Sequence, residues 1–334
     1  MLVTVTATDP NGNGNATQVE WFAGRYEALA RNVESFIRGK PEVVRAALVC
    51  MFSEGHLLIE DVPGVGKTSL AKAVASSIGA TMRRIQFTPD LLPTDVTGVQ
   101  IYDDRSRQFE FRPGPVFANV VLADEINRAS PKTQSALLEV MDERQVTMDG
   151  TTYPVASPFI VMATSNPIEH EGVYRLPEAQ LDRFLMRIEM GYPAAVAERE
   201  IIENRIRGQA PEQLTPVLSV DELRAMVGIA HGVYIAPVLQ EYIVAVVSAT
   251  RRLPELRLGV SPRGGLGVAI AAQALAAAAG RPFVTPQDVK QVAPNVLAHR
   301  MILRPEAQLQ GHAAESLLDQ ILSSVPVPQE RALA

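Results

Sequence analysis

The 334-residue chain is long for one compact domain and short for three, so its length points to two. With 47% hydrophobic and 20% charged residues, its composition excludes a mainly disordered or collagen-like protein. A net charge of −6 argues against attachment to nucleic acid by bulk charge. The single cysteine, Cys50, excludes an intrachain disulfide or a thiolate metal cluster and fits a reducing compartment.

The first residues carry no basic segment followed by an apolar core, which argues against a signal peptide. The longest apolar stretch, residues 267–279, falls short of the ~20 residues a membrane span needs. A soluble, cytoplasmic protein is expected.

Residues 1–16 are rich in Gly, Asn, Thr and Asp and read as a flexible tail. From Val19, apolar residues recur at helical steps through Phe22, Tyr26, Leu29, Val33 and Ile37, and a second helical run ends near Phe52. Short apolar runs at 57–60, 82–87, 120–124, 159–164 and 184–190 then alternate with helical segments. That alternation predicts a mainly parallel sheet covered on both faces. Two hairpins, at about 99–112 and 145–155, interrupt the alternation, and Asp149-Gly150 in the second is a type I′ turn signal. After Gly191-Tyr192-Pro193 only helical patterns remain. The expected division is an α/β domain over 17–192 and a helical lid over 193–334.

The strand at 57–60 runs into Asp61-Val62-Pro63-Gly64-Val65-Gly66-Lys67-Thr68, which with Ser69 is expected to hold the nucleotide, and a helix with apolar Leu70, Ala73, Val74 and Ile78 follows. This is the Walker A layout, in which a Gly-rich turn aims backbone N–H groups at phosphate oxygens. Lys67 is expected to reach the β- and γ-phosphates of ATP, and the Thr68 hydroxyl to bind Mg²⁺. Asp61 stands where the general pattern has a glycine. The run Val120-Val121-Leu122-Ala123 ends in Asp124, expected to hold Mg²⁺ with Thr68, and Glu125, expected to orient and deprotonate water. Asn166, just past the strand at 159–164, is in reach of that water or the γ-phosphate.

Together these blocks resemble the AAA+ ATPases, and within them the MoxR family, from about Val33 to Arg304. The specific stretches are LLIEDVPGVGKTSLAKA, RIQFTPDLLPTDVTG, LADEINRASPKTQSALLEVMDE, ATSNPIEHEGVYRLPEAQLDRF and VSPRGG. The resemblance implies a P-loop AAA+ core with a five-stranded parallel sheet in order 5-1-4-3-2 and a C-terminal all-α lid. It also implies a homo-oligomeric ring, usually a hexamer, whose two hairpins face the pore and touch the client. Asn166 matches sensor 1, Arg183 the arginine finger and Arg263 sensor 2, while Arg38 and Gly39 fall where the family holds adenine.

Ser261 and Pro262 read as an N-cap and first helical turn, from which Arg263 would point at a phosphate across the domain cleft. Arg128 is a second interface candidate, or a partner in an intramolecular salt bridge. The scattered histidines lack metal-ligand spacing and read as packing or surface residues, and Cys50 as buried.

The expected function is a Mg-dependent ATP hydrolase that remodels or activates partner proteins in the manner of a chaperone. A von Willebrand factor A domain is a partner class of such proteins. This chain lacks the Asp-x-Ser-x-Ser site of that domain, so such a partner would be a separate polypeptide. The alternatives are an AAA+ motor on nucleic acid, a magnesium-chelatase-type ATPase subunit and a nucleotide-gated scaffold.

Overall fold

The structure, a computed structural model, describes residues 13–62, 64–166, 174, 176–208 and 210–328. Two helices, α1 (Asn13–Glu34) and α2 (Pro41–Phe52), lead into β1 (Leu57–Glu60), α3 (Lys67–Ser77) and β2 (Met82–Gln86). A short α4 (Pro93–Thr97) precedes the hairpin β3 (Gly98–Asp103) and β4 (Gln108–Pro113). Then come β5 (Val120–Asp124), α5 (Pro131–Glu143) and a second hairpin, β6 (Gln145–Met148) and β7 (Thr151–Pro154). The domain closes with β8 (Ile160–Ser165), α6 (Glu178–Leu181) and β9 (Met186–Ile188).

The central sheet is parallel, in the order β2-β5-β8-β1-β9. Numbering its strands along the chain reproduces the expected 5-1-4-3-2. Both faces are covered, which is why β5 and β8 are buried along their whole length and read as unbroken apolar runs. Leu57, Ile59, Val120 and Leu122 face α1–α3, where Phe22 packs on Phe52 at 4.9 Å between ring centres. Leu58, Val121, Ala123 and Val161 face Leu137, Leu138 and Met141 of α5. The six apolar positions predicted for the first helical run are all buried. That helix is described from Asn13, and the rest of the segment expected to be a tail, residues 1–12, lies outside the described residues.

β3 pairs with β4 and β6 with β7, each pair antiparallel. At the tip of the second, Asp149 and Gly150 have φ of 46° and 77°, as a type I′ turn requires. Phe111 of the first stacks on Tyr153 of the second at 4.2 Å, so the hairpins share one aromatic contact.

The lid comprises α7 (Ala195–Ile206), α8 (Val220–His231), α9 (Pro237–Thr250), β10 (Leu256–Leu258), α10 (Pro262–Ala278) and α11 (Pro286–Leu297). It ends with β11 (Ile302–Leu303), α12 (Pro305–Leu309) and α13 (Ala314–Ser324). Reciprocal caps, Ser219 with Glu222 and Thr285 with Asp288, start α8 and α11. The lid is helical as expected except for the antiparallel ribbon of β10 and β11, whose two or three residues are too few for a period-two pattern. Among the described residues, no helix is long and apolar enough to cross a membrane.

Candidate nucleotide site

The P-loop turns on Gly64 and Gly66, at φ of 85° and 98°, conformations open to glycine at no steric cost. Gly66 is the cap position of α3, so the N–H groups of Lys67, Thr68 and Ser69 open toward the loop. Lys67 Nζ reaches back to the carbonyls of Asp61 (2.6 Å) and Ser165 (3.3 Å). Pro63 lies outside the described residues.

Asp61 has structural work that a glycine could not do. One carboxylate oxygen accepts from the Val62 N–H (2.7 Å) and the other from the Gly191 N–H (2.5 Å), tying the loop to the segment that enters the lid.

Asp124 ends β5 beside the loop, 8% exposed. Its Oδ1 accepts from the Thr164 hydroxyl (2.6 Å), while Oδ2 lies 3.4 Å from Thr68 Oγ1. Thr164 also accepts the Glu125 N–H (2.8 Å), so one fully buried threonine on β8 positions both acidic residues. Glu125 has φ 56° and ψ 50°, a left-handed conformation that costs a non-glycine residue roughly 1–3 kcal/mol and concentrates at functional sites. Asn166 follows directly on β8 and is buried, and its carbonyl accepts from the Asn127 amide (3.2 Å).

Residues of β2 that sequence reasoning passed over complete this end of the sheet. Arg84 donates to Asp124 Oδ2 through Nε (3.1 Å) and Nη2 (2.7 Å), and Nη2 also reaches Gln86 Oε1 (2.6 Å). Gln86 Nε2 donates to Glu125 Oε2 (2.8 Å), where Arg128 Nε also lies, at 3.3 Å. Arg128 therefore makes the intramolecular salt bridge that was one of its two readings. No local signal marks these residues, because the β2–β5 register alone brings Gln86 opposite Asp124.

A cleft of about 380 Å³ opens beside the loop, lined by Val65, Gly66, Thr68 and Ser69, by Phe36 to Arg38 and Lys40, and by Ile201 and Asn204 of α7. Its size and mixed lining suit a nucleotide. Arg38 is on the cleft wall, 3.7 Å from Glu200. Gly39 acts differently: its φ is 70° and a Cβ there would stand 2.7 Å from the Ala197 Cβ, so it lets α7 approach the connection between α1 and α2.

Of the two arginines near the start of β1, Arg183 and Arg263, the second departs from expectation. Arg263 does not face this cleft. Its Nη2 pairs with Asp142 Oδ1 (2.7 Å), and Arg183 Nε pairs with Asp142 Oδ2 (2.9 Å). That pair lies beside Gly55 and His56, which precede β1, whereas the P-loop leaves the other end of β1. Ser261 occupies the cap position of α10, but its oxygen accepts no N–H of the helix, and its hydroxyl donates to Asp182 (3.2 Å).

His56 and Cys50 are packing residues, as expected. Burial, with the Arg144 charge, lowers His56 to about 3, and its imidazole links Met141 O (3.1 Å) to the Val161 N–H (3.0 Å). Burial pushes the Cys50 thiol up.

Comparison with known proteins agrees with this architecture. The pattern of the ATPase family associated with various cellular activities (AAA) matches residues 56–186, and that of the AAA lid domain residues 248–321. The protein YeaC of Bacillus subtilis, itself uncharacterized, is 50% identical over 91% of this chain and 96% of its own length. Chaperone MoxR1 of Mycobacterium tuberculosis is 44% identical over 97% of this chain and 90% of its own. Protein MoxR of Methylorubrum extorquens is 30% identical, with 94% and 98% covered. A crystal structure from Cytophaga hutchinsonii superposes with a TM-score of 0.88 at 36% identity, covering 94% of this chain and 98% of that one. With a parallel five-stranded core, a helical lid and relatives matched along nearly their whole length, the chain belongs to the MoxR family of AAA+ ATPases.

Proposed function

We propose that the chain hydrolyses ATP between the P-loop and the lid and, as a ring of subunits, uses that energy to remodel or activate partner proteins. The observation that carries this reading is that Thr164 holds both Asp124 and Glu125 while Thr68 approaches the same Asp124 from the P-loop. The loop N–H groups and Lys67 bind the β- and γ-phosphates. Glu125 takes a proton from water as the water oxygen bonds to the γ-phosphorus and the bond to the β,γ-bridging oxygen breaks, giving ADP and phosphate. Asn166 orients the water or the γ-phosphate. Thr68 and Asp124 offer the hydroxyl and carboxylate oxygens that suit Mg²⁺, which would supply charge neutralisation at the phosphates.

Arg183 serves the neighbouring subunit's ATP in this reading. The four-residue β1 separates it from its own P-loop by about 13 Å along the sheet. Arg263 shares that end of the sheet and faces the same neighbour. A guanidinium there stabilises charge spread over the transferring phosphoryl oxygens. The hairpin β3–β4 presents exposed Phe109 and Tyr102 to a client, and the similarity to a named chaperone supports protein as the client class. A hexamer, and a separate von Willebrand factor A domain protein as partner, complete the proposal.

Mixed rings test it. Arg183→Ala and Lys67→Ala are each expected to be nearly inactive. When mixed they recover part of the ATPase rate, because an Arg183→Ala pocket beside a Lys67→Ala neighbour meets an intact finger. Verified mixed rings with no recovery at any ratio would sink the trans role of Arg183 and turn attention to Arg128.

A further inference from the structure

Arg300 belongs to the lid, in the 3-10 turn Ala298–Arg300 after α11, yet its guanidinium serves the α/β domain. The side chain is 4% exposed. Nε donates to Asp182 Oδ1 (2.7 Å), Nη2 to the carbonyls of Asp182 (3.1 Å) and Phe184 (2.7 Å), and Nη1 to those of Leu185 (3.2 Å) and Val296. The acceptors on residues 182, 184 and 185 bracket Arg183. Further lid groups close on the same segment: Ser261 donates to Asp182, Arg257 pairs with Glu178, and Arg263 meets Arg183 on Asp142.

A guanidinium is a planar fork of donors, and one that is buried with its donors engaged on backbone carbonyls holds those carbonyls in a fixed relation. Neither lysine, with a compact point charge, nor an apolar residue reproduces that grip. We infer that Arg300 is a positioning residue for Arg183, so that the lid of each subunit sets the place from which its arginine reaches the neighbour's ATP. The inference rests on the reading that Arg183 acts in trans. It also gives the lid two tasks, since α7 walls the subunit's own nucleotide cleft while Arg300 holds the residue presented to the next one.

A staple needed only for folding would harm the subunit's own pocket, whereas a positioning residue harms the neighbour's. The full-length Arg300→Met protein should bind ATP with a Kd within about twofold of the parent and lose about tenfold or more in kcat. In mixed rings with Lys67→Ala it should recover, since its intact pocket then meets an intact finger. With Arg183→Ala it should not, since every finger in those rings is impaired. Asp182→Asn, a milder change at a partly exposed carboxylate, carries the same comparisons if Arg300→Met does not assemble. Loss of ATP binding, or no recovery with Lys67→Ala while Arg183→Ala and Lys67→Ala do complement each other, would overturn the positioning role. Failure of that reference pair would overturn the trans reading itself and this role with it.

Discussion

Gln86 donates a 2.8 Å hydrogen bond to Glu125, joining the ends of neighbouring strands at the carboxylate proposed to activate water. The bond ties one carboxylate oxygen toward β2, and Arg128 holds the same oxygen at 3.3 Å. Release from Gln86 leaves Arg128 as the partner of that oxygen and loosens the side chain toward water without touching the phosphate contacts. Gln86→Ala is expected to raise basal kcat about threefold with KM for ATP unchanged. Steady-state kinetics decide it, and a fall in kcat at constant KM would make Gln86 an orienting residue instead.

Binding and hydrolysis should separate between two residues of the site. Lys67 supplies phosphate charge in bound ATP, whereas Glu125 acts on water. Lys67→Ala is expected to abolish tight Mg-ATP binding. Glu125→Gln should bind ATP and hydrolyse it about 10²–10⁴-fold more slowly, the usual reach of a positioned general base. Calorimetric ATP binding alongside phosphate release tests this. Equal loss of affinity in two folded variants would contradict the division.

Thr164 holds Asp124 and the Glu125 N–H from a fully buried position. Valine has nearly its shape but leaves both groups short of a partner, a change expected to cost about 2 kcal/mol of stability. Thr164→Val should also lower kcat more than it weakens ATP binding, and Thr164→Ser should restore most of both. Urea unfolding and single-turnover kinetics are the measurements, and an unchanged unfolding midpoint would count against the bonds.

The tip of the first hairpin is exposed, with Phe109 at 67%. Changing Arg105 and Phe109 together to Ala is expected to leave basal ATPase activity within about threefold, or roughly 0.65 kcal/mol of barrier. Stimulation by client or partner should be lost. A collapse of basal hydrolysis would put the hairpin inside the catalytic machinery.

His56 makes stability depend on pH. Burial holds it near 3 in the folded chain, against about 6.5 when unfolded, so acid protonates the unfolded chain first. Its contribution is fully present above pH 6.5 and is lost as pH falls toward 3. Between pH 6.5 and 5 that amounts to about 2 kcal/mol. His299, lowered well below its usual value by burial and the Arg300 charge, adds to the slope in the same sense. His56→Gln should flatten the pH dependence of the urea midpoint in this range, and an unchanged slope would place the effect elsewhere.

Local sequence determined whatever depends on neighbours along the chain. The buried strands were legible as apolar runs, the P-loop as glycines between a strand and a helix, and the second hairpin turn as Asp149-Gly150, because each conformation is set by residues a few positions apart. Asp124 and Glu125 were legible for the same reason, since both end one buried strand.

Tertiary structure alone decided which distant side chains meet. Arg84 and Gln86 reach the acidic pair only through the register of β2 on β5, and Thr164 only through β8 on the other side. Arg263 shows the limit most clearly. Its place in the first turn of α10 was readable from Ser261-Pro262, but the direction of that turn follows from how the lid docks. The docking carries Arg263 to Asp142 and away from the P-loop of its own chain. Arg300 grips the carbonyls around Arg183 for the same reason: the packing of two domains chooses its acceptors, and no spacing along the chain encodes that choice.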